Sequence, residues 1–198
     1  MEAFAEQGYD STSMERIAER CGVAKTTLHD RFGGKGPLFE TALEREHERF
    51  ATHLLAAYRE AESMEMQAQL RHGFVALFEY ARDNPTIFRY VFGEQDGRTL
   101  HSSSAARGRQ VVLDAIIGLV ERQARAAGIS TGVSSELIAD VILGSGEYVA
   151  RRLATNPEIE IESATEFVVQ VLAQGVYAPN PDLASKLDRR AVSSGGGP

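Results

Sequence analysis

Apolar residues recur at three- and four-residue spacing along nearly the whole chain, and no stretch alternates like a half-buried strand. The first short stripe is Met14, Ile17, Ala18 and Cys21. Thr12 with Glu15 three positions on reads as a capping box, so a helix is expected from Ser13, with Cys21 on its inner face. Gly22 stops it, because glycine takes a left-handed C-terminal cap without steric cost. Val23 is expected to plug the space before a second short helix, about Ala24 to Phe32, whose Leu28 and Phe32 face inward. A long pattern follows over 35–58. Leu38, Phe39, Leu43, Phe50, Leu54 and Tyr58 point inward, Pro37 lies in the first turn, and Glu44, Arg45, Glu46, Glu48 and Arg49 form a solvated face.

Helical patterns also cover about 65–83, 86–92 and 105–127. Asn84-Pro85 separates the first two, since the residue before a proline avoids helical geometry. The last two helices, about 136–155 and 163–177, are apolar around more than half of their circumference. Leu137, Val141, Ile142 and Tyr148 carry this on one, Phe167, Val168, Val171 and Leu172 on the other. Faces that broad need cover on two sides. Ser134 or Ser135 is the expected cap of the first of these helices. Residues 179–198 end in Ser-Ser-Gly-Gly-Gly-Pro, have nothing to bury, and read as a disordered tail. The expected fold class is all-α, with a helix-turn-helix head over 1–48 and a helical body over 49–178.

With Leu28 and Phe32 inward, Lys25, Thr26, Thr27, His29, Asp30 and Arg31 are left outward. A short helix with small polar and cationic side chains fits a DNA major groove. Lys35 follows Gly33-Gly34, placed to reach a phosphate.

This region resembles the TetR family of transcriptional regulators. Phe4-Ala5-Glu6-Gln7-Gly8-Tyr9-Asp10 is similar to the end of that family's first helix and its turn. Ser11-Thr12-Ser13-Met14-Glu15-Arg16-Ile17-Ala18 is similar to its second. Gly22-Val23-Ala24-Lys25-Thr26-Thr27-Leu28, then Phe32 and Lys35, resemble its recognition helix and the start of the fourth. The resemblance implies Lys25, Thr26 and Thr27 on base edges, with Ser13, His29, Arg31 and Lys35 on phosphates. Asp30 either accepts from a cytosine amino group or restrains Arg31. His29 stands where the family usually carries a tyrosine whose hydroxyl meets a phosphate. Members usually extend further before the position of Phe4, so the first helix reads as shortened at Met1.

For the body, the resemblance implies a ligand cavity lined by Phe74, Phe78, Phe88 and Phe92, with His72, His101, Glu147, Tyr148 and Arg151 as polar candidates. Ordinary core packing is the competing reading of the aromatics. It also implies a homodimer whose last two helices pair across a two-fold axis through Val141, Gly144, Ser145, Tyr148, Phe167, Val171 and Gly175. Packing of both helices on the chain's own core is the alternative.

Composition narrows the function further. A formal net charge of −7 argues against bulk attraction to nucleic acid or anionic membrane. Locally the sign reverses, because residues 20–36 hold Arg20, Lys25, Arg31 and Lys35 against Asp30 alone. That suits a specific reader of DNA better than a nonspecific coater. The single cysteine allows no intramolecular disulfide and no metal cluster. No apolar run approaches the length of a membrane span and no signal-peptide pattern opens the chain, so a cytoplasmic protein is expected. No phosphate loop or spaced Cys/His set asks for catalysis, a metal or a cofactor. The expected function is a dimeric repressor on a palindromic operator, released by an apolar or amphipathic small molecule. The rival is a helical small-molecule-binding or protein-interaction protein with a vestigial head.

Overall fold

Local sequence explains where most helices begin and end in the computed structural model, which describes residues 1–92, 103–129 and 131–176, without the side chains of 103–106 and 174–176. His101 and the expected tail at 179–198 lie outside the described residues. Of Gly175, only its place within a helix is described. Among the described residues all regular structure is helical, with no strand. The elements are α1 (Glu2–Gln7), α2 (Met14–Cys21), α3 (Lys25–Phe32), α4 (Lys35–Glu60), α5 (Met66–Asp83), α6 (Pro85–Phe92), α7 (Ser103–Ala126), α8 (Val133–Leu153) and α9 (Ile161–Val176). Among them no helix is long and apolar enough to cross a membrane.

The capping box expected at Thr12 is corrected. Ser13 caps α2, its Oγ accepting from the Arg16 amide at 3.2 Å. Thr12 is buried, and its hydroxyl donates to the Gly8 carbonyl at 2.7 Å, tying the end of α1 to the start of α2. Glu15 is thereby free to face Lys25. Gly22 takes the left-handed cap as expected (φ 66°). Cys21 is exposed rather than inward, because the head core closes over Met14, Ile17 and Ala18 one turn earlier. Val23 is also a correction: it is 41% exposed and plugs nothing. Ser134 and Ser135 do not cap α8 either. Both are buried in its first turn, Ser135 Oγ donating to the Gly132 carbonyl at 2.7 Å.

Two hydrophobic cores form, and α4 belongs to both. Leu38, Phe39 and Leu43 join Phe4, Met14, Ile17, Leu28 and Val91 in the first core. Phe50, Leu54 and Ala57 join α5, α6, α7, α8 and α9 in the second. Between these sets α4 carries Glu46 and His47, both buried. Glu46 therefore leaves the expected solvated face; Arg49 one turn on donates to both its oxygens at 3.3 Å. The approach of α5 to α8 is close. A Cβ added at Gly146 would come within 2.8 Å of Phe74 and Leu77, so only glycine fits at that crossing.

Candidate nucleic-acid interface

The outward face of α3 follows from burial of one residue. Leu28 enters the head core, and Lys25, Thr26, Thr27, His29, Asp30 and Arg31 are left exposed around it. No side chain caps α3 at Ala24, so its first amides remain directed at whatever meets the helix end. Gly33 (φ 77°) ends α3 and turns the chain into α4.

The local basic patch is smaller than its sequence implies. Arg20 reaches back across α1, donating to Glu6 at 2.6 Å and to Glu2 at 2.8 Å. These bonds staple α1 to α2, and the hydrogen bond from Arg20 holds the Glu6 carboxyl below its usual range. Lys25 is ion-paired to Glu15, whose carboxyl is likewise lowered by that bond. Lys35 Nζ donates to the carbonyls of Tyr9 (3.0 Å) and Asp10 (3.4 Å) and lies 4.5 Å from the centre of the Tyr9 ring. It locks the turn after α1 onto the start of α4. Arg31 sits 5.7 Å over the neighbouring Phe32 ring, and among the described residues it makes no ion pair. The pairings of Arg20, Lys25 and Lys35 are not visible in the spacing, because each joins segments that only the fold brings together.

In the body, the aromatic candidates fill space rather than border it. Phe78 and Phe88 are fully buried, Phe74 nearly so. Phe74 stacks on Phe78 with centroids 5.7 Å apart, and Phe92 lies 4.7 Å from Phe88 and 4.5 Å from Phe50. Glu147 and Arg151 are half-buried on α8. Burial raises the Glu147 carboxyl, opposed by Arg109, 3.6 Å away on α7, and by Arg151. Arg151 donates to the Phe92 carbonyl at 2.8 Å, tying α8 to the end of α6. His72 stands outside, 3.5 Å from Glu60. Tyr148 also faces out, under the Arg151 guanidinium at 4.8 Å.

That outward placement groups Tyr148 with Leu137 and Val141 on α8 and with Phe167 and Val171 on α9, all exposed. Gly144 and Ser145 are half-buried on the same helix. An apolar face of this kind is uncommon on a surface left to water.

The reading of periodicity missed His47. It is 4% exposed, and its Nδ1 has no partner in hydrogen-bonding geometry, the Leu43 carbonyl one turn back giving weak support. Burial holds it below the usual histidine pKa. The unfolded chain therefore binds the proton more readily than the folded one, and stability falls as pH drops through the usual histidine value toward the depressed one. Denaturant midpoints between about pH 5 and 7.5 should rise with pH, and His47→Gln should flatten that rise. An unchanged slope in the variant would mean that His47 titrates as it does in the unfolded chain.

Known proteins place this geometry. Residues 1–42 match the description "Bacterial regulatory proteins, tetR family". The HTH-type transcriptional activator FasR of Mycolicibacterium smegmatis (strain ATCC 700084 / mc(2)155) is 25% identical over 171 residues, which are 85% of this chain and 75% of FasR. A TetR-like transcriptional regulator from Rhodococcus sp. RHA1 superposes with a TM-score of 0.69 at 26% identity, over 90% of this chain and 91% of that one. The transcriptional regulator FadR from Bacillus subtilis, solved in complex with stearoyl-CoA, has the same fold: TM-score 0.71, 15% identity, 86% of this chain and 92% of FadR. These relatives are transcriptional regulators rather than enzymes. With its exposed α3 on a three-helix head and its all-helical body, the chain is similar to bacterial transcriptional regulators of the tetR family, whose pattern its residues 1–42 match.

Proposed function

We propose that the protein is a dimeric repressor that reads a palindromic operator with paired α3 helices and is released by an apolar or amphipathic small molecule. The observation that carries the DNA reading is the face of α3, polar and exposed around a single buried leucine. In this reading Lys25, Thr26 and Thr27 meet base edges, while Ser13, His29, Arg31 and Lys35 meet phosphates. Two such heads about 34–36 Å apart enter successive major grooves. The exposed stripe on α8 and α9 supports pairing of two chains through Val141, Tyr148, Phe167 and Val171, with Gly144, Ser145 and Gly175 allowing close approach. The stearoyl-CoA held by FadR of Bacillus subtilis supports an amphipathic effector. An effector that favours one head spacing weakens DNA binding by its preference between the two shapes. The place of action is the cytoplasm, with the DNA.

A mobility-shift assay with the DNA flanking the protein's own gene tests this. Absence of a shift at any effector or salt level would favour the vestigial-head alternative. FasR is named an activator, so activation is the second reading of the same binding event, and a promoter reporter decides the sign.

Salt separates the roles of the cations. Log affinity should fall linearly with log salt as phosphate counterions are released. Arg31→Ala should reduce that slope by about two, one for each copy in the dimer. Lys35→Ala should weaken binding further, since it also unlocks the turn held at Tyr9. A slope unchanged in Arg31→Ala removes that residue from the phosphate set.

A further inference from the structure

Two of the four cations in residues 20–36 already meet carboxylates of their own chain, and they do so differently. Arg20 is held by Glu2 and Glu6 together, a staple between α1 and α2. Lys25 opens α3 and has one partner, Glu15, in the first turn of α2. The two side chains are 56% and 62% exposed, so the pair lies in water, where such contacts add little to stability. The hydrogen bond from Lys25, and then its own amide, hold the Glu15 carboxyl below its usual range, so it is charged at neutral pH. Of the other charges on α2, Arg16 donates to Gln7 on α1 at 2.9 Å. Glu19, one turn beyond Glu15, makes no ion pair among the described residues. The remaining charges of α3, Asp30 and Arg31, lie more than a turn beyond Lys25.

The pair changes what Lys25 can offer to DNA. An ammonium carries three donors, so Lys25 can keep one on Glu15 and present two to base acceptors such as guanine O6 and N7. Held in this way, a long flexible side chain loses less freedom at the base edge. A phosphate offers neither a fixed direction nor an advantage over the carboxylate that Lys25 already holds. On unrelated sequence Glu15 brings its negative charge to the backbone with nothing gained in return. The pair therefore weakens binding to random DNA more than binding to a site with the matching base pair.

We propose that Glu15 is a specificity-determining residue, aiming the Lys25 ammonium at a base edge and withholding it from the phosphates of unrelated sequence. The role depends on α3 being the DNA-contacting helix, the reading proposed for the head.

Fluorescence anisotropy titrations of the full chain, on the DNA flanking its own gene and on a random duplex of equal length, test it across a series of salt concentrations. Glu15→Gln should tighten binding to the random duplex about tenfold, about threefold from each of two heads. Its salt slope there should steepen by about one per head as Lys25 turns to phosphates. Affinity for the flanking DNA should stay within about twofold, so the ratio between the two falls several-fold. Glu19→Gln removes the same charge one turn away and should leave the ratio unchanged. In a Lys25→Ala background, Glu15→Gln should likewise leave the ratio unchanged. An unaltered ratio in Glu15→Gln overturns the proposal, as does a fall of the same size in Glu19→Gln or in the Lys25→Ala background. A native protein that binds neither DNA removes the α3 reading and this role with it, a different result from specific binding that is indifferent to Glu15.

Discussion

Val141→Glu is expected to leave the chain folded and separate it from its partner, with nearly all operator affinity lost. Val141 is 55% exposed and Phe167 67% exposed in the single chain. A glutamate at 141 therefore costs the protomer little, as at most surface positions. In a dimer that covers this face, the same carboxylate would be buried without a partner, twice by symmetry, at several kcal/mol per copy. A monomer touches one half-site, and losing the linked second contact lowers affinity by a factor on the order of a hundred or more. Phe167→Glu should do the same from α9. Light scattering reads the assembly and a mobility shift reads the DNA. A Val141→Glu protein that remains dimeric and binds normally would place the interface on another face.

Phe78→Ala should show the largest loss of stability, about 3–5 kcal/mol. Phe78 has no solvent exposure, and its ring stacks on Phe74 beside the tight crossing at Gly146. Deleting it removes the transfer energy of the ring and leaves a cavity that these neighbours cannot close without moving helices. The urea midpoint should fall while its slope is unchanged, measured at fixed protein concentration so that any self-association contributes equally to both proteins. A loss below about 1 kcal/mol would mean that Phe78 borders open space, as a ligand-lining residue would, since collapse-free truncation has little to forfeit.

Phe78 and Val141 look alike in the sequence: each is one apolar position in a helical stripe. Periodicity marks both as needing cover but does not name what covers them. Only the packing separates them, one inside the chain and one on its outside.

Helices, their breaks and the head were readable because their causes are local. Gly22 and Gly33 end helices by a backbone conformation that glycine adopts cheaply, and Asn84-Pro85 divides α5 from α6 by a steric clash between neighbours. Leu28 faces inward because its helix has a single apolar side to bury. Partner choice was not readable. Arg20 could have faced DNA, yet it binds Glu2 and Glu6 on another helix. Lys25 meets Glu15, Thr12 turns back to Gly8, and His47 is buried where α7 crosses α4. A residue's own turn determines whether it is helical and which way it points. What it meets there is decided by elements far off in the chain, whose positions follow from closing two cores around one shared helix.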